Sequence, residues 1–184
     1  NHVFERGCNS MQLGLQGKSA LVIASSQGLG KAIARKLVEE GTNVMLTSRD
    51  PEKLFKVKDE LMQLGGGIVE CKRCDITNKQ DIIDLVSTTV ERFGTIDLLV
   101  NNAGGPPAGS FEQMTDEDWQ KAFELNLLSY IRVIREVLPL MRGRGGKIIN
   151  IASSSVKEPI PGLILSNTFR TGIVGLTKTL ASEF

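Results

Sequence analysis

A glycine-containing turn near the start of the chain has the residue types needed to bind a phosphate group. It follows the apolar run at residues 19–24, precedes a helix-like pattern, and consists of Ala24, Ser25, Ser26, Gln27, Gly28, Leu29 and Gly30. Glycine lets backbone N–H groups approach a pyrophosphate closely, and the dipole of the following helix attracts negative charge. A tight strand-to-helix turn also needs glycine for steric reasons alone, so the segment by itself leaves both explanations open.

The end of the second apolar run indicates which nucleotide such a turn would bind. An NAD site usually places an acidic residue there, where it accepts a hydrogen bond from the ribose 2′-hydroxyl. Here the run ends in Thr47, Ser48 and Arg49, and the first carboxylate, Asp50, is predicted to cap a helix. Because arginine can make a forked contact with a 2′-phosphate, this segment favours NADP(H) over NAD(H). A solvated surface arginine is the other explanation for Arg49.

A Cys-x-x-Cys pair, Cys71 and Cys74, raises the question of zinc or redox chemistry. Zinc needs two further ligands, and the remaining candidates are His2 and Cys8 in the N-terminal segment. Three-residue spacing along a strand also places the two thiols on opposite faces. We therefore predict no metal site and two half-buried thiols.

Short apolar runs alternate with amphipathic stretches, and these elements would position the polar residues. Runs rich in Val, Ile and Leu predict five strands, at residues 19–24, 43–47, 68–74, 96–100 and 147–152. Helical spacing predicts helices at residues 29–40, 50–64, 77–93, 126–141 and 165–184, and a further helical region that begins at residue 115. Capping boxes at Thr77–Gln80 and Thr115–Asp118 mark two of the helix starts. This alternation predicts an α/β fold with a doubly wound parallel sheet, covered by helices on both faces.

Composition limits the classes of protein to which the chain can belong. The 184 residues carry 22 basic and 21 acidic side chains, and the resulting net charge of +1 argues against a nucleic-acid partner or a polybasic membrane anchor. No apolar run approaches the roughly 20 residues of a membrane span, and the charged start lacks a signal-peptide core, so we expect a cytoplasmic protein. Residues 1–10 are interpreted as a leader or tag before Met11, and residues 11–184 as one domain.

Four motifs together carry a resemblance to a known family. Ser25–Gly30 follows the first strand, Asp75 the third and Asn101–Gly104 the fourth, and Asn126 lies on the next helix. In this order and spacing they resemble the short-chain dehydrogenase/reductase superfamily, and most nearly its 3-oxoacyl-acyl carrier protein reductases. The resemblance covers residues 13–184 and implies a Rossmann fold with about two further strands, so that this chain is C-terminally incomplete. Its fifth strand would then lie at an exposed edge.

The resemblance implies contacts to a nicotinamide cofactor from several strand ends. Asp75 would accept a hydrogen bond from the adenine amino group, with the backbone of Ile76 beside it. Asn102, Ala103 and Gly104 would contact the ribose and nicotinamide half. The family has a glycine where this chain has Ala24, so we expect altered backbone geometry at the first turn without loss of binding.

The resemblance also implies a reaction, the reduction of a carbonyl by hydride transfer from nicotinamide. Asn126 matches the asparagine that anchors a proton-relaying water, and Ser153 matches the serine that binds the substrate oxygen. The catalytic tyrosine and lysine positions fall on Ser166 and Arg170, so that YxxxK is replaced by SxxxR. A serine hydroxyl cannot be tuned toward neutrality as a phenol can, and arginine stays protonated. Arg170 would still donate hydrogen bonds to ribose hydroxyls, and Ser166 would still hold a substrate oxygen.

Two other residues are candidate proton donors. Tyr130, the only tyrosine, lies one helical turn after Asn126, although an aromatic ring packed between elements is the plainer explanation. Lys157 follows the triplet Ser153–Ser155, where a solvated loop lysine is expected.

Three functions remain open on the sequence. The first is an NADP(H)-dependent oxidoreductase acting on a small carbonyl or alcohol substrate, with Asn126, Ser153, Ser166 and Arg170 around the reacting group. The second is an NADP(H)-binding protein without turnover, acting as a sensor or an oligomer partner. The third is a structural subunit that binds no nucleotide. The family pairs the helices that follow its fourth and fifth strands across a two-fold axis, which implies a homodimer or homotetramer.

Overall fold

The computed structural model of the protein describes residues 13–184. The proposed leader at residues 1–10, the start at Met11, and the candidate ligands His2 and Cys8 lie outside the described residues.

Five strands form one parallel sheet. They are β1 (Ser19–Val22), β2 (Asn43–Ser48), β3 (Val69–Arg73), β4 (Leu98–Asn101) and β5 (Lys147–Asn150). Their order across the sheet is β3-β2-β1-β4-β5, and every neighbouring pair is parallel. The chain leaves β1 toward one edge and returns to the other side of β1 with β4. This confirms the doubly wound α/β fold and creates a crevice at the carboxyl ends of β1 and β4, where such sheets bind ligands.

Helices cover both faces of the sheet. They are α1 (Gly28–Glu39), α2 (Pro51–Met62), α3 (Lys79–Phe93), α4 (Asp116–Phe123), α5 (Ser129–Met141) and α6 (Ile164–Glu183). Along β1 the side chains alternate between the faces. Ala20 and Val22 pack with apolar residues of α1 and α2, whereas Leu21 packs with those of α3, α5 and α6. Burial of both faces explains why the strands are nearly continuous apolar runs.

The helix starts show how local sequence sets the element boundaries. Asp50 caps α2 by accepting from the backbone N–H of Lys53, as predicted. Thr115 and Asp118 form the predicted capping box of α4. The predicted box at Thr77 is wrong by one residue, because Asn78 caps α3. The helix α1 differs from these three, since Gln27 at its start makes no side-chain capping bond.

The predicted helix at residues 126–141 is part of a longer helical segment. Between α4 and α5 the backbone forms a wider π-helical turn, Glu124–Leu128, with Asn126 at its centre. Such turns are rare and often occur at functional sites. The regular α-helix therefore begins at Ser129, and the turn directs Asn126 into the protein, where it is fully buried.

The two described cysteines lie on opposite faces of the sheet, as their spacing predicts. Cys71 packs against the cluster under α1 and α2, and Cys74 belongs to the cluster under α3, α5 and α6. Burial raises the pKa of both thiols, that of Cys74 to about 12. Within residues 13–184 no three acidic, histidine or cysteine side chains converge as metal ligands.

The strand β5 forms one edge of the sheet, as expected. Its Ile149 side chain is 47% exposed, which is unusual for an apolar residue of a parallel strand.

None of the helices between residues 13 and 184 combines the length and apolar character needed to cross a membrane.

Candidate functional site

A cavity of about 750 Å³ opens at the carboxyl ends of β1, β2 and β4. Most of the residues predicted to bind a nucleotide line it, namely Ala24, Ser26, Gln27, Gly28, Leu29, Ser48, Arg49, Ile76, Asn102, Ala103 and Gly104. Segments far apart in the sequence therefore meet at the crevice where the sheet order reverses. This is the position at which doubly wound sheets bind ligands.

The first turn brings backbone unusually close to backbone. A Cβ atom on Gly30 would lie 2.3 Å from the carbonyl oxygen of Ala24 and 3.0 Å from Asn102 Nδ2. Asn102 Nδ2 also donates to that carbonyl, at 3.3 Å. Glycine at position 30 thus lets α1 begin directly against the turn, while Asn102 ties the turn to the end of β4.

Two predicted cofactor residues of this turn, Ser25 and Gly30, support the cavity without lining it. Ser25 is fully buried, and its Oγ accepts from the backbone N–H of Thr47 at 2.9 Å. The backbone N–H of Ser25 donates to the carbonyl oxygen of Thr47, also at 2.9 Å. These bonds join the turn after β1 to the end of β2, so Ser25 fixes the distance between two segments that line the cavity.

Two cations reach the cavity, Arg49 directly after β2 and Lys53 in the first turn of α2. Arg49 is exposed and lines it, together with Ser48, Asp50 and Lys53. Lys53 lies in the first turn of α2, and its Nζ is 3.4 Å from Asp50 Oδ2. The backbone N–H of Lys53, hydrogen-bonded to the Asp50 carboxylate, lowers the pKa of Asp50. Asp50 is therefore both the predicted cap and a cavity residue.

Asp75 lies after β3 but does not line the cavity. Its Oδ1 accepts from the backbone N–H of Thr77 at 3.0 Å and from Thr77 Oγ1 at 2.7 Å. Burial acts to raise the pKa of Asp75, but the Thr77 hydrogen bonds and the charges of Arg49 and Arg73 outweigh it and lower the pKa. Asp75 is thus a charged acceptor beside Ile76, which does line the cavity.

The predicted reaction centre lies beside this cavity, and none of its four residues lines it. Asn126 Nδ2 donates to the carbonyl of Gly104 at 2.7 Å, while its Oδ1 is buried without a hydrogen-bond partner among the described residues. Such an orphaned acceptor is costly unless a water or ligand group satisfies it. The helix α6 packs against the turn of Asn126 and against the short turn Ser154–Val156. The structure therefore brings the predicted reaction-centre segments together.

The serine triplet places its three hydroxyls differently. Ser153 is half-buried, and its Oγ accepts from the backbone N–H of Ser155 at 3.2 Å. Ser154 is exposed, whereas Ser155 is buried with an Oγ that has no partner within the described part of the chain. Ser166, at the start of α6, is 8% exposed. Ser153 is the member of the triplet that keeps both partial exposure and a defined orientation.

The two alternative proton donors occupy very different surroundings. Tyr130 is 1% exposed, and its hydroxyl donates to the carbonyl of Ile151 at 2.9 Å. Burial raises the pKa of Tyr130. Lys157 is exposed. The packed aromatic ring and the solvated lysine expected from the sequence are both confirmed.

Comparison with known proteins assigns the chain to a family. Residues 18–184 match the short chain dehydrogenase family. The chain belongs to this family. It is 37% identical over 168 residues to a D-beta-hydroxybutyrate dehydrogenase of Rhizobium meliloti (strain 1021), a match that covers 90% of this chain and 65% of the relative.

Solved structures of short-chain dehydrogenases share the fold. One neighbour is an actinorhodin polyketide ketoreductase with NADPH, with a TM-score of 0.86 and 37% identity, covering 90% of this chain and 64% of the other. Another is a 7 alpha-hydroxysteroid dehydrogenase complexed with NADH and 7-oxo glycochenodeoxycholic acid, with a TM-score of 0.87 and 30% identity, covering 92% and 66%. The chain thus spans just under two thirds of each of these three proteins.

Sequence reasoning missed six residues that line the cavity, namely Thr47, Asp50, Lys53, Cys74, Gly105 and Leu125. A signal for Lys53 was present. Because α2 was predicted to start at Asp50-Pro51, its first turn had to stand beside the end of β2. For Leu125 no local pattern was available, since the π-helical turn places it there.

Ala24, which is predicted to stand at the family's first turn glycine, has a left-handed backbone conformation, with φ at 52°. This conformation costs an L-residue with a Cβ atom about 1 kcal/mol or more, whereas glycine adopts it freely. We therefore expect Ala24→Gly to raise the free energy of unfolding by about 1 kcal/mol and the Tm by about 3 °C, measured by thermal unfolding. The control Ala181→Gly, on the exposed end of α6, should lower the Tm instead. A lower Tm for both variants would contradict strain at Ala24.

Proposed function

We propose that the chain carries the nucleotide site and the reaction centre of an NADP(H)-dependent oxidoreductase. Its reaction would interconvert a small carbonyl compound and its alcohol. The observation that carries the proposal is the cavity of about 750 Å³ at the switch point of the sheet. Gln27, Gly28 and Leu29 at the uncapped start of α1 line it. Free N–H groups at a helix start suit a pyrophosphate, so these residues fit a dinucleotide.

The charge at the end of β2 supports a preference for NADP(H). Arg49 and Lys53 bring two positive charges to the cavity, and Ser48 adds a hydroxyl. A 2′-phosphate would satisfy these donors, whereas a 2′-hydroxyl would leave Arg49 without an anionic partner. The ion pair between Asp50 and Lys53 partly neutralises the Asp50 carboxylate, which would otherwise repel a phosphate.

Replacing Arg49 by glutamine tests this preference. We expect Arg49→Gln to weaken NADPH binding by about 10-fold to 100-fold, because a charge-assisted contact contributes about 1.5–3 kcal/mol. The affinity for NADH should change little. Isothermal titration with both coenzymes measures the difference, and Lys56→Gln, an exposed cation of α2 outside the cavity, is the matched control. Equal weakening for NADPH and NADH would refute the 2′-phosphate contact.

The reaction centre that we propose consists of Asn126, Ser153, Ser166 and Arg170. The nicotinamide supplies or accepts the hydride when the coenzyme is bound. Ser153 and Ser166 orient the substrate by donating hydroxyl hydrogen bonds to its oxygen, and the guanidinium of Arg170 adds positive charge behind them. The orphaned Oδ1 of Asn126 is suited to holding a water molecule.

The proton for the alcohol product comes, in this proposal, from bound water or from the substrate itself. The hydroxyl of Tyr130 is buried and donates to a backbone carbonyl, so it does not reach the substrate. Lys157 is exposed in its loop. Asp75 would accept from the adenine amino group at the far end of the coenzyme.

The decisive experiment is a turnover assay with the full-length protein. We expect NADPH oxidation in the presence of some ketone or β-keto ester, followed by the absorbance of the coenzyme. A broad carbonyl panel without any turnover would remove the enzymatic proposal.

A second candidate is an NADP(H)-binding protein without turnover. It is favoured by Ser166 and Arg170, which replace the family's tyrosine and lysine. Binding of NADPH that raises the Tm, without oxidation of any substrate, would select this candidate. A coenzyme that leaves the Tm unchanged would instead leave only a structural role.

The proposed assembly is a homodimer or homotetramer. Its basis is the family alone, because Ile134, Ile173 and Leu176 on α5 and α6 pack on the core of their own chain. Light scattering on the full-length protein measures the mass directly, and a monomer would refute this part.

A further inference from the structure

The side chain of Arg170 uses both of its terminal nitrogens on the backbone of its own chain. Nη1 donates to the carbonyl of Ile151 and Nη2 to the carbonyl of Ala103, each at 3.3 Å. The residue is only 7% exposed. A buried guanidinium with two fixed acceptors is held in one orientation, so Arg170 is not free in the way that a ribose-binding side chain would be.

The two carbonyls belong to the segments that follow β4 and β5. Ala103 lies in the cavity wall between Asn102 and Gly104. Ile151 lies two residues before Ser153, and its backbone N–H donates to the carbonyl of Asn101 at 2.9 Å. The guanidinium therefore connects the segment that carries Ser153 to the turn beside the cavity, beyond the last hydrogen bonds of the sheet.

Tyr130 adds a second donor to the same carbonyl. Its hydroxyl donates to the Ile151 oxygen at 2.9 Å from within the core. Burial raises the pKa of Tyr130, while the nearby charge of Arg170 acts in the opposite direction, so the phenol remains a protonated donor at neutral pH. The Ile151 carbonyl thus accepts from α5 and α6 together.

We propose that Arg170 and Tyr130 form a clamp that fixes the Ile151 and Ala103 carbonyls relative to each other, and that Arg170 is thereby a positioning residue for Ser153. The positioning of a reacting hydroxyl rests on the proposed function, whereas the clamp concerns the folded chain alone. Lysine cannot replace arginine here. A single ammonium group on a flexible stem does not hold two carbonyls on different segments in one geometry.

Hydrogen exchange measures the clamp without reference to activity. In Arg170→Lys we expect amide exchange at residues 98–105 and 147–156 to accelerate at least about tenfold, with β3 unchanged. Arg135→Lys, at an exposed arginine of α5, is the control and should change neither segment. Tyr130→Phe keeps the ring and should accelerate exchange at residues 147–156 alone. If Arg170→Lys does not fold, Tyr130→Phe decides. Wild-type exchange in both segments of the folded variants would overturn the clamp.

Kinetics then separate positioning from coenzyme binding. We expect Arg170→Lys to lower kcat at least about tenfold with little change in the KM for NADPH, and to be non-additive with Ser153→Ala. A higher kcat in Arg170→Lys, or a raised KM for NADPH with unchanged kcat, would show that residue 170 acts on the coenzyme or the reaction directly, as the family's lysine does. Either result would overturn the proposal. If the wild-type protein turns over no substrate, the proposed function fails while hydrogen exchange still decides the clamp.

Discussion

Replacing Gly30 by alanine is expected to remove NADPH binding and to destabilise the fold. The added Cβ would lie 2.3 Å from the carbonyl oxygen of Ala24 and 3.0 Å from its carbonyl carbon. Both atoms belong to the backbone, so α1 has to move away from the turn. Overpacking of this kind costs about 3 kcal/mol, which corresponds to a Tm lower by about 10 °C. Displacement of the helix start also removes the N–H groups proposed to bind the pyrophosphate.

The control for this prediction is another helical glycine with open space around it. Gly175 lies on the exposed side of α6, and a Cβ added there would have no heavy atom within 4 Å beyond its own helical neighbourhood. Gly175→Ala should therefore stabilise the protein by about 1 kcal/mol, because alanine favours the helix. Thermal unfolding and calorimetric titration with NADPH measure both effects. Wild-type affinity in Gly30→Ala would show that the close approach of helix and turn does not matter for the coenzyme.

The second large effect is expected at Ser153. We expect Ser153→Ala to lower kcat by about 10²–10³-fold, the loss typical of removing one hydrogen-bond donor from a developing oxyanion. The affinity for NADPH should stay close to that of the wild type, because Ser153 does not line the cavity. The variant also loses the hydrogen bond from the Ser155 backbone N–H to Ser153 Oγ, which should lower the free energy of unfolding by only about 1 kcal/mol.

Ser154→Ala provides the comparison within the same triplet. Ser154 is exposed, so its replacement should leave kcat, coenzyme affinity and Tm unchanged. Steady-state kinetics with any substrate found in the carbonyl panel give the result. A Ser153→Ala variant within about threefold of the wild-type kcat would place the substrate oxygen elsewhere.

Local signals were sufficient to predict most of the proposed nucleotide site. The order of the elements predicts that three segments lie at the same edge of the sheet. They are the turn from Ala24 to Gly30, the strand end at Arg49 and the segment from Asn102 to Gly104. This succeeds because parallel strands present all their carboxyl ends at the same edge of the sheet, so that chain order predicts spatial order. The helix caps Asp50 and Thr115 were predictable for a similar reason, since capping involves residues only three positions apart.

The amino-acid sequence by itself determined the doubly wound architecture and the identity of the cavity-lining turns. It also predicts that Ser166 and Arg170 stand at the positions of the family's YxxxK motif. Only the tertiary structure decided what Arg170 contacts, because its carbonyl partners at Ala103 and Ile151 are 67 and 19 residues away along the chain. The burial of Tyr130 likewise depends on how α5 and the end of β5 meet. Hydrophobic periodicity reports which face of an element is covered, whereas a long side chain's hydrogen bonds depend on which backbone groups the packing leaves unpaired.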